Sequence, residues 1–225
     1  MTGSQEPRIS VEPPRVSTDG EDAALLMNEY GYKLDPWQKT VLNCWLGLDK
    51  SGRYSVTSAG LSVPRQNGKT GLVQGRAAAG MLLYNEMVIY TAHLQKTSTE
   101  TFEEMAVFFD SEKLRKYVKD IKTALGREQI ILKNGARVKF LARTRNGGRG
   151  QHGDLLIFDE AQELDTDQQA SFLPAISASL NPQTIYIGTP PDPTAVGTVF
   201  RGIRDRAATG DVKRTAWFEF SVDEI

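Results

Sequence analysis

Short apolar runs alternate with amphipathic segments along most of this chain of 225 residues. Runs rich in apolar and β-prone residues predict strands at 56–63, 87–92, 154–158, 183–188 and 215–221. Apolar residues at helical spacing, with helix-forming composition, predict helices at 23–28, 36–48, 71–84, 96–109, 112–118, 168–179 and 196–208. Because strands alternate with helices, we expect an α/β fold with a central, mostly parallel sheet that helices flank on both faces.

One further pair of strands differs from this alternation. Residues 129–132 and 137–141 are β-prone and lie on either side of Asn134-Gly135, a dipeptide typical of a tight hairpin turn. The sequence therefore predicts a β-hairpin inserted into the α/β core. In a mostly parallel sheet, ligands bind beyond the carboxyl ends of the strands, so motifs that follow strands are the candidates for a site.

The first such motif follows the strand at 56–63. Residues 63–70 read Val-Pro-Arg-Gln-Asn-Gly-Lys-Thr, a variant of the phosphate-binding pattern Gly-x4-Gly-Lys-Ser/Thr in which Val63 stands at the first glycine. Its backbone N–H groups would cradle the phosphates of ATP, Lys69 would reach the β- and γ-phosphates, and Thr70 would help hold Mg²⁺. The nucleotide-binding residues predicted in this loop are Gln66, Asn67, Gly68, Lys69 and Thr70. The alternative is a Lys-Thr turn that simply begins a helix.

The second motif is an acidic pair. The run at 154–158 ends in Asp159-Glu160, as expected of a buried parallel strand that delivers two carboxylates. Asp159 would hold Mg²⁺ through a bound water, and Glu160 would act as the general base on the attacking water. The pair lies about ninety residues after Lys69, which leaves room for the other strands and helices of a nucleotide-binding core. A strand that ends in a solvated acidic pair is the alternative.

Composition sets bounds on the protein. Hydrophobic residues make up 40% and charged residues 24% of the chain, which is ordinary for a globular protein. No apolar run approaches the roughly 20 residues of a membrane span, so no membrane partner is expected. The single cysteine, Cys44, excludes an internal disulfide and fits a reducing cytoplasm. Residues 1–22, with three prolines and scattered charges, are expected to form a flexible arm ahead of one domain at 23–225.

The net charge of −1 does not indicate nucleic acid, but the charge distribution is uneven. Residues 129–153 contain no acid and carry six basic side chains, Lys133, Arg137, Lys139, Arg143, Arg145 and Arg149. Such a block can be a solvated face, a surface for a phosphate backbone or a source of catalytic arginines, and charge alone does not choose among them.

Four features, through their combined order and spacing along the chain, resemble the large terminase subunit of tailed bacteriophages, the motor that packs DNA into capsids. They are the loop Pro-Arg-Gln-Asn-Gly-Lys-Thr, the run Asp-Glu-Ala-Gln at 159–162, the run Gly-Thr-Pro at 188–190 and the run Pro-Trp-Gln at 36–38. The resemblance covers about residues 34–221. It implies a P-loop NTPase fold of the additional-strand, catalytic-glutamate type.

The resemblance also implies roles for single residues. Arg65 would contact the nucleotide and sense the γ-phosphate within its own subunit, and Gln38 would bind adenine through its amide. Arg149 would enter the active site of a neighbouring subunit as a catalytic arginine finger, a role for which Arg143 and Arg145 compete. Thr189 would couple hydrolysis to the rest of the chain. Each role has a structural alternative. Arg65 could be a surface arginine and Gln38 a polar helix residue. Arg149 could contact DNA or solvent, and Thr189 could belong to a turn at the end of a strand.

The implied function is that of an ATPase motor which translocates double-stranded DNA, without sequence preference, into a procapsid. Its implied partners are further copies in a pentameric ring on the portal, the portal protein and the small terminase subunit, in the host cytoplasm during phage assembly. The nuclease domain of large terminases is not represented, so no nuclease activity is expected of residues 1–225. Two alternatives stay open, a helicase core of the Asp-Glu-Ala-x-box type and a nucleotide-binding module without turnover.

Overall fold

A computed structural model describes residues 5–64, 67–190, 197–210 and 213–220. The described residues form strands β1 (Ile9–Val11), β2 (Ser17–Thr18), β3 (Gly47–Leu48), β4 (Ser58–Ser62), β5 (Met87–Ala92), β6 (Val118–Lys122), β7 (Gln129–Leu132), β8 (Arg137–Ala142), β9 (Leu155–Phe158), β10 (Gln183–Gly188) and β11 (Thr215–Glu219). Their α-helices are α1 (Gly20–Glu29), α2 (Pro36–Trp45), α3 (Lys69–Leu83), α4 (Gln95–Phe109), α5 (Thr166–Phe172) and α6 (Thr198–Thr209). Within these ranges, no helix combines the length and apolar character that crossing a bilayer requires.

Nine of the strands form one sheet in the order β1-β11-β4-β10-β9-β5-β8-β7-β6. The central strands from β11 to β8 all run parallel, whereas β1, β7 and β6 are antiparallel to their neighbours. Strand β10 lies between β4 and β9, so one additional strand separates the two strands that precede the phosphate loop and the acidic pair. The mostly parallel sheet and the additional strand confirm the predicted fold class.

Helices cover both faces of the sheet, and β9 shows how the sequence specifies this. Leu155 and Ile157 pack into the core beneath α1 to α4, whereas Leu156 and Phe158 pack on the other face with α5 and α6. All four side chains are buried. A strand that is covered on both faces needs apolar residues at every position, which explains the unbroken apolar run ahead of Asp159.

The prediction of a flexible arm over residues 1–22 is wrong where these residues form β1, β2 and the start of α1. Strand β1 pairs with β11 at the edge of the sheet, and the Arg8 guanidinium forms an ion pair with Glu219. Helix α1 already begins at Gly20. The pairing joins residues more than two hundred positions apart, so local composition carried no sign of it.

Two helix predictions were also wrong. Residues 112–118 contain only a 3-10 turn at Arg115–Tyr117, and β6 follows it as a third strand beside the predicted hairpin. The helix predicted at 168–179 ends at Phe172 and passes into a 3-10 turn at Leu173–Ile176. Pro174 lacks the backbone N–H that a continuing α-helix needs. The hairpin itself extends the sheet, because β8 pairs in parallel with β5.

A closed polar network lies at the amino edge of the sheet. The guanidinium of Arg76, on α3, is fully buried and donates two hydrogen bonds to the Glu86 carboxylate, at 2.7 and 3.1 Å. Its Nε donates to Gln183, the first residue of β10, at 2.9 Å, and Tyr54 donates to Glu86 at 2.6 Å. The Gln183 amide donates in turn to the carbonyls of Trp45 and Val56. This network ties α3, which begins where the phosphate loop ends, to the amino end of the strands.

Candidate active site

The predicted motifs meet at the carboxyl edge of the sheet. Strand β4 precedes the phosphate loop, β9 precedes Asp159-Glu160 and β10 precedes Thr189. These three strands are adjacent and parallel, with Gly188 opposite Ser62 and Tyr186 opposite Phe158. The carboxyl ends of adjacent parallel strands open on one crevice, so the sequence prediction that the motifs converge is confirmed.

The phosphate loop leads directly into α3. Gly68 has φ of 75° and stands at the N-cap, a left-handed conformation that glycine adopts without steric cost, and Lys69 is the first helical residue. The amino end of α3 therefore faces the loop with its first-turn N–H groups and the positive end of its dipole, as a phosphate site requires. Val63, which stands at the first glycine of the pattern, donates its N–H to the carbonyl of Gly188 and has its side chain buried in the core. Of the predicted ligands, Arg65 and Gln66 lie outside the described residues.

Gln38 joins α2 to the phosphate loop. Its side chain is buried, its Oε1 accepts the N–H of Asp35 at 2.7 Å, and its Nε2 donates to the carbonyl of Gly68 at 2.8 Å. Each amide atom can take part in one further hydrogen bond. The predicted contact with adenine stays a prediction, and the structure adds a role that the sequence did not suggest, which is to hold the loop at its glycine. The adjacent Trp37 packs edge-on against Phe220 in the core.

Asp159 is fixed by two hydrogen bonds. The hydroxyl of Tyr90, a buried residue of β5, donates to its Oδ2 at 2.6 Å, and the N–H of Glu160 donates to its Oδ1 at 2.8 Å. Burial, followed by the charge of Asp159, raises the pKa of Tyr90 well above its ordinary value, so the hydroxyl keeps its proton. Carboxylate and hydroxyl oxygens are ligands that Mg²⁺ prefers. The fixed carboxylate of Asp159, together with the Thr70 hydroxyl in the first turn of α3, is a donor set that fits this ion.

Glu160 combines a strained backbone with an unsatisfied carboxylate. Its φ and ψ are 50° and 45°, a left-handed conformation that costs a non-glycine residue about 1–3 kcal/mol. Its Oε1 accepts a hydrogen bond from Thr97 on α4 at 3.3 Å, whereas its Oε2 is buried and has no hydrogen-bond partner among the described atoms. Strain and a buried acceptor without a donor are expected where a carboxylate has to bind a reacting water.

The three competing arginines lie in different environments. Arg143 is buried, and its guanidinium donates to the carbonyls of Asp159 at 2.9 Å and Glu160 at 3.0 Å. Burial lowers its pKa, an effect that the nearby acids Glu160 and Asp159 oppose. Arg145 and Arg149 are exposed and line an open depression beside α5 together with His152 and Asp167. Only these two could reach a neighbouring subunit without leaving a buried position.

The glycine-rich loop at 144–152 is organised by consecutive turns. Backbone hydrogen bonds run from Gly147 to Thr144, from Arg149 to Asn146 and from Gln151 to Gly148. At Gly148 an added Cβ would lie 2.2 Å from the carbonyl oxygen of Ser171, so the loop backbone packs directly on α5. Arg149 is therefore presented from an organised, packed loop.

Thr189 is linked to the turn at 159–163, here called the acidic turn, through Gln162. The sequence had marked Gln162 only as part of a motif. The Oε1 of Gln162 accepts the Thr189 N–H at 3.1 Å, and an added Cβ on Gly197 would lie 1.9 Å from the Gln162 carbonyl oxygen. Sequence reasoning also missed Tyr90 and Thr97 as partners of the two acids. The one available sign was the hydroxyl of Tyr90 inside a mainly apolar strand.

Comparison with known proteins agrees with this architecture. The family model described as "Terminase large subunit, ATPase domain" matches residues 36–195. The large terminase of bacteriophage HK97 has a similar fold, with a TM-score of 0.78 and 23% identity over 92% of this chain and 45% of that one. The Thermus phage P74-26 large terminase ATPase domain gives 0.59 and 15% over 74% of this chain and 68% of that one.

A third similar structure is the large terminase of a thermophilic bacteriophage in complex with ADP. It gives a TM-score of 0.58 and 16% identity over 82% of this chain and 44% of that one. None of the curated proteins matches the sequence significantly. The chain thus spans less than half the length of the HK97 protein.

Proposed function

This chain belongs to the family of terminase large subunit ATPase domains, and from that premise we propose that it hydrolyses ATP to drive double-stranded DNA into a phage procapsid. The observation that carries the hydrolytic part is Glu160. At the carboxyl end of β9, one of its carboxylate oxygens is held by Thr97 and the other is buried and free to accept a proton. A module that only holds nucleotide has no need of such a group.

Nucleotide binding is assigned to the loop at 63–70 and the amino end of α3. The loop N–H groups and Lys69 would hold the phosphates, with Arg65 sensing the γ-phosphate and Gln38 contacting adenine. Thr70 and, through a water, Asp159 would hold Mg²⁺, which neutralises charge on the phosphate oxygens. The similar phage terminase solved in complex with ADP supports nucleotide binding as such.

In the proposed reaction, Glu160 takes a proton from a water whose oxygen forms the new bond to the γ-phosphorus. The bond from the γ-phosphorus to the oxygen it shares with the β-phosphate breaks, and ADP and inorganic phosphate leave. General-base help of this kind contributes about 10²–10⁴-fold to the rate. The hydrogen bond from Tyr90 to Asp159 keeps the second acid fixed while this occurs.

Assembly into a ring is the second part of the proposal. Arg149 would reach the γ-phosphate of the next subunit and stabilise the charge of the transition state, and its exposure on an organised loop supports this. A site completed between copies requires a closed ring, proposed as a pentamer on the portal. The small terminase subunit and DNA, held by its phosphates, would join it in the host cytoplasm during phage assembly.

Phosphate release from ATP, measured against protein concentration and magnesium, tests the proposal. We expect a specific rate that rises with concentration and is lost in Glu160→Gln. Mixing Arg149→Ala with Glu160→Gln subunits should restore activity, because the second variant supplies the arginine and the first the acid. Absence of hydrolysis at every concentration would refute the ATPase assignment. A rate that depends on Glu160 but is independent of concentration would refute only the trans arginine.

A further inference from the structure

Glu160 adopts a backbone conformation that its own side chain does not favour. Among the described residues other than glycine, positive φ occurs only at Asn85 and Glu160, and asparagine tolerates that region far better than glutamate does. The conformation at Glu160 therefore has to be imposed by its surroundings.

Arg143 is placed to impose it. Its Nη1 donates to the carbonyl of Asp159, which belongs to the peptide before Glu160, and its Nη2 donates to the carbonyl of Glu160, which belongs to the peptide after it. Rotation about φ turns the first peptide relative to the Cα, and rotation about ψ turns the second. One rigid, planar guanidinium that holds both carbonyls therefore restrains both dihedral angles of Glu160.

The burial of Arg143 argues for the same role. The residue is only 4% exposed and, among the described residues, forms no ion pair with a carboxylate. Its Nε is buried without a partner. A buried arginine that is needed only for stability would be expected to pair with an acid, whereas this one gives its donors to two backbone carbonyls.

We propose that Arg143 is a positioning residue that acts on Glu160 of its own subunit and holds the carboxylate toward the attacking water. Arg143 also directly precedes the glycine-rich loop at 144–152, which carries Arg149. Its side chain therefore connects that loop to the acidic turn. This inference rests on the proposed role of Glu160 in ATP hydrolysis.

The first test separates positioning from folding. Arg143→Lys retains the charge but cannot hold both carbonyls, and Arg143→Gln retains one donor group without the charge. We expect kcat to fall about 10-fold and about 100-fold, respectively, with KM for ATP changed less than about twofold, because misplacement of a catalytic group acts on the transition state. Arg53→Gln, an exposed arginine at the amino edge, is the matched control and should behave as wild type.

The folded fraction of each variant is measured by circular dichroism at the assay temperature. An unchanged kcat, or a loss of kcat no larger than the loss of folded protein, overturns the inference. If Arg143→Gln is unfolded, Arg143→Lys decides by the same criterion. Failure of the wild-type protein to hydrolyse ATP, or full activity in Glu160→Gln, would instead refute the proposed function on which the role of Arg143 rests.

Mixed subunits give a second, independent readout. Arg143→Gln subunits mixed with Glu160→Gln subunits should be no more active than Arg143→Gln alone, because the acid of the first is misplaced in its own subunit and the second has none. The mixture of Arg149→Ala with Glu160→Gln is the positive control for rescue. Rescue of the Arg143→Gln mixture would mean that Arg143 acts on a neighbour and would overturn the inference.

Discussion

Two buried arginines lie at opposite ends of the same strands and differ in how their donors are used. At the amino edge, Arg76 meets Glu86 through two hydrogen bonds, Gln183 through a third and the ring of Tyr54 at 5.0 Å. At the carboxyl edge, Arg143 meets two backbone carbonyls, and its Nε has no partner among the described atoms.

The comparison distinguishes buried polar groups that stabilise the fold, at the amino edge, from those that serve the proposed reaction, at the carboxyl edge. The amino-edge network pairs each charge with an opposite one, so it is complete without a ligand. The acidic turn at the carboxyl edge keeps a strained residue, an unpaired arginine nitrogen and an unpaired oxygen of Glu160. Those features lower stability and are expected to persist where a bound substrate completes them.

The strongest test of this contrast is Glu160→Gln. We expect hydrolysis to fall about 10²–10⁴-fold, equivalent to about 2.7–5.5 kcal/mol of barrier, because the amide cannot accept the proton of water. The free energy of unfolding should stay the same or rise, since a neutral amide is less costly to bury than an unpaired carboxylate. Phosphate release and urea unfolding of the same preparation measure both. A clear loss of stability would contradict the contrast.

Arg76→Met should have the opposite profile. Removing one partner of a buried ion pair leaves the Glu86 carboxylate unpaired, and we expect the free energy of unfolding to fall by about 3–4 kcal/mol. ATP hydrolysis by the remaining folded protein should be nearly normal. Urea unfolding followed by circular dichroism measures the loss.

The double variant Arg76→Met with Glu86→Leu sharpens this prediction. Replacing a buried ion pair by apolar side chains of similar volume is often neutral, so most of the lost stability should return. Gly80 lies against Glu86, and an added Cβ there would be 2.1 Å from its Oε2, so the leucine has to fit a tight space. A double variant no more stable than Arg76→Met would show that the network does more than neutralise charge.

Tyr90→Phe tests a residue that both stabilises the fold and supports the site, since Tyr90 is fully buried and its hydroxyl donates to the Asp159 carboxylate. We expect a loss of about 1–2 kcal/mol of stability at neutral pH and about a 10-fold slower hydrolysis, because Asp159 loses a fixed donor. The pKa of Tyr90 is raised in the folded protein, so the folded state keeps a proton that the unfolded state loses above about pH 10. The stability difference between wild type and variant should therefore be constant below pH 10 and shrink above it, as urea unfolding from pH 7 to 11 would show. A difference that grows above pH 10 would contradict the assignment.

How far the sequence predicted this molecule depended on whether a signal was local. Strands β5 and β10 were predicted at their observed bounds because each contains a local cluster of apolar, β-prone residues, which the fold buries on both faces of the sheet. Edge strands β1 and β6 were missed because they are short or charged and acquire their structure from distant partners. Arg143 stood in a basic block whose role charge alone left open, and only the fold turns its side chain inward onto the acidic turn.

The smallest effect is expected at Gln38, where the sequence predicted a contact with adenine and the structure shows a clamp on the phosphate loop. Gln38→Ala removes the hydrogen bond to Gly68, and we expect a loss of about 1 kcal/mol of stability and a severalfold rise in KM for ATP at nearly constant kcat. The Gln38 amide retains one N–H and one lone pair, enough to match the adenine edge. We therefore expect the variant to lose more affinity for ATP than for GTP, measured by competition for hydrolysis.

Gln169→Ala, which removes a hydrogen bond to Tyr186 on the other face of the sheet, is the control and should leave the affinity for both nucleotides unchanged. Equal losses for ATP and GTP would mean that Gln38 acts only by holding the phosphate loop and makes no contact with the base.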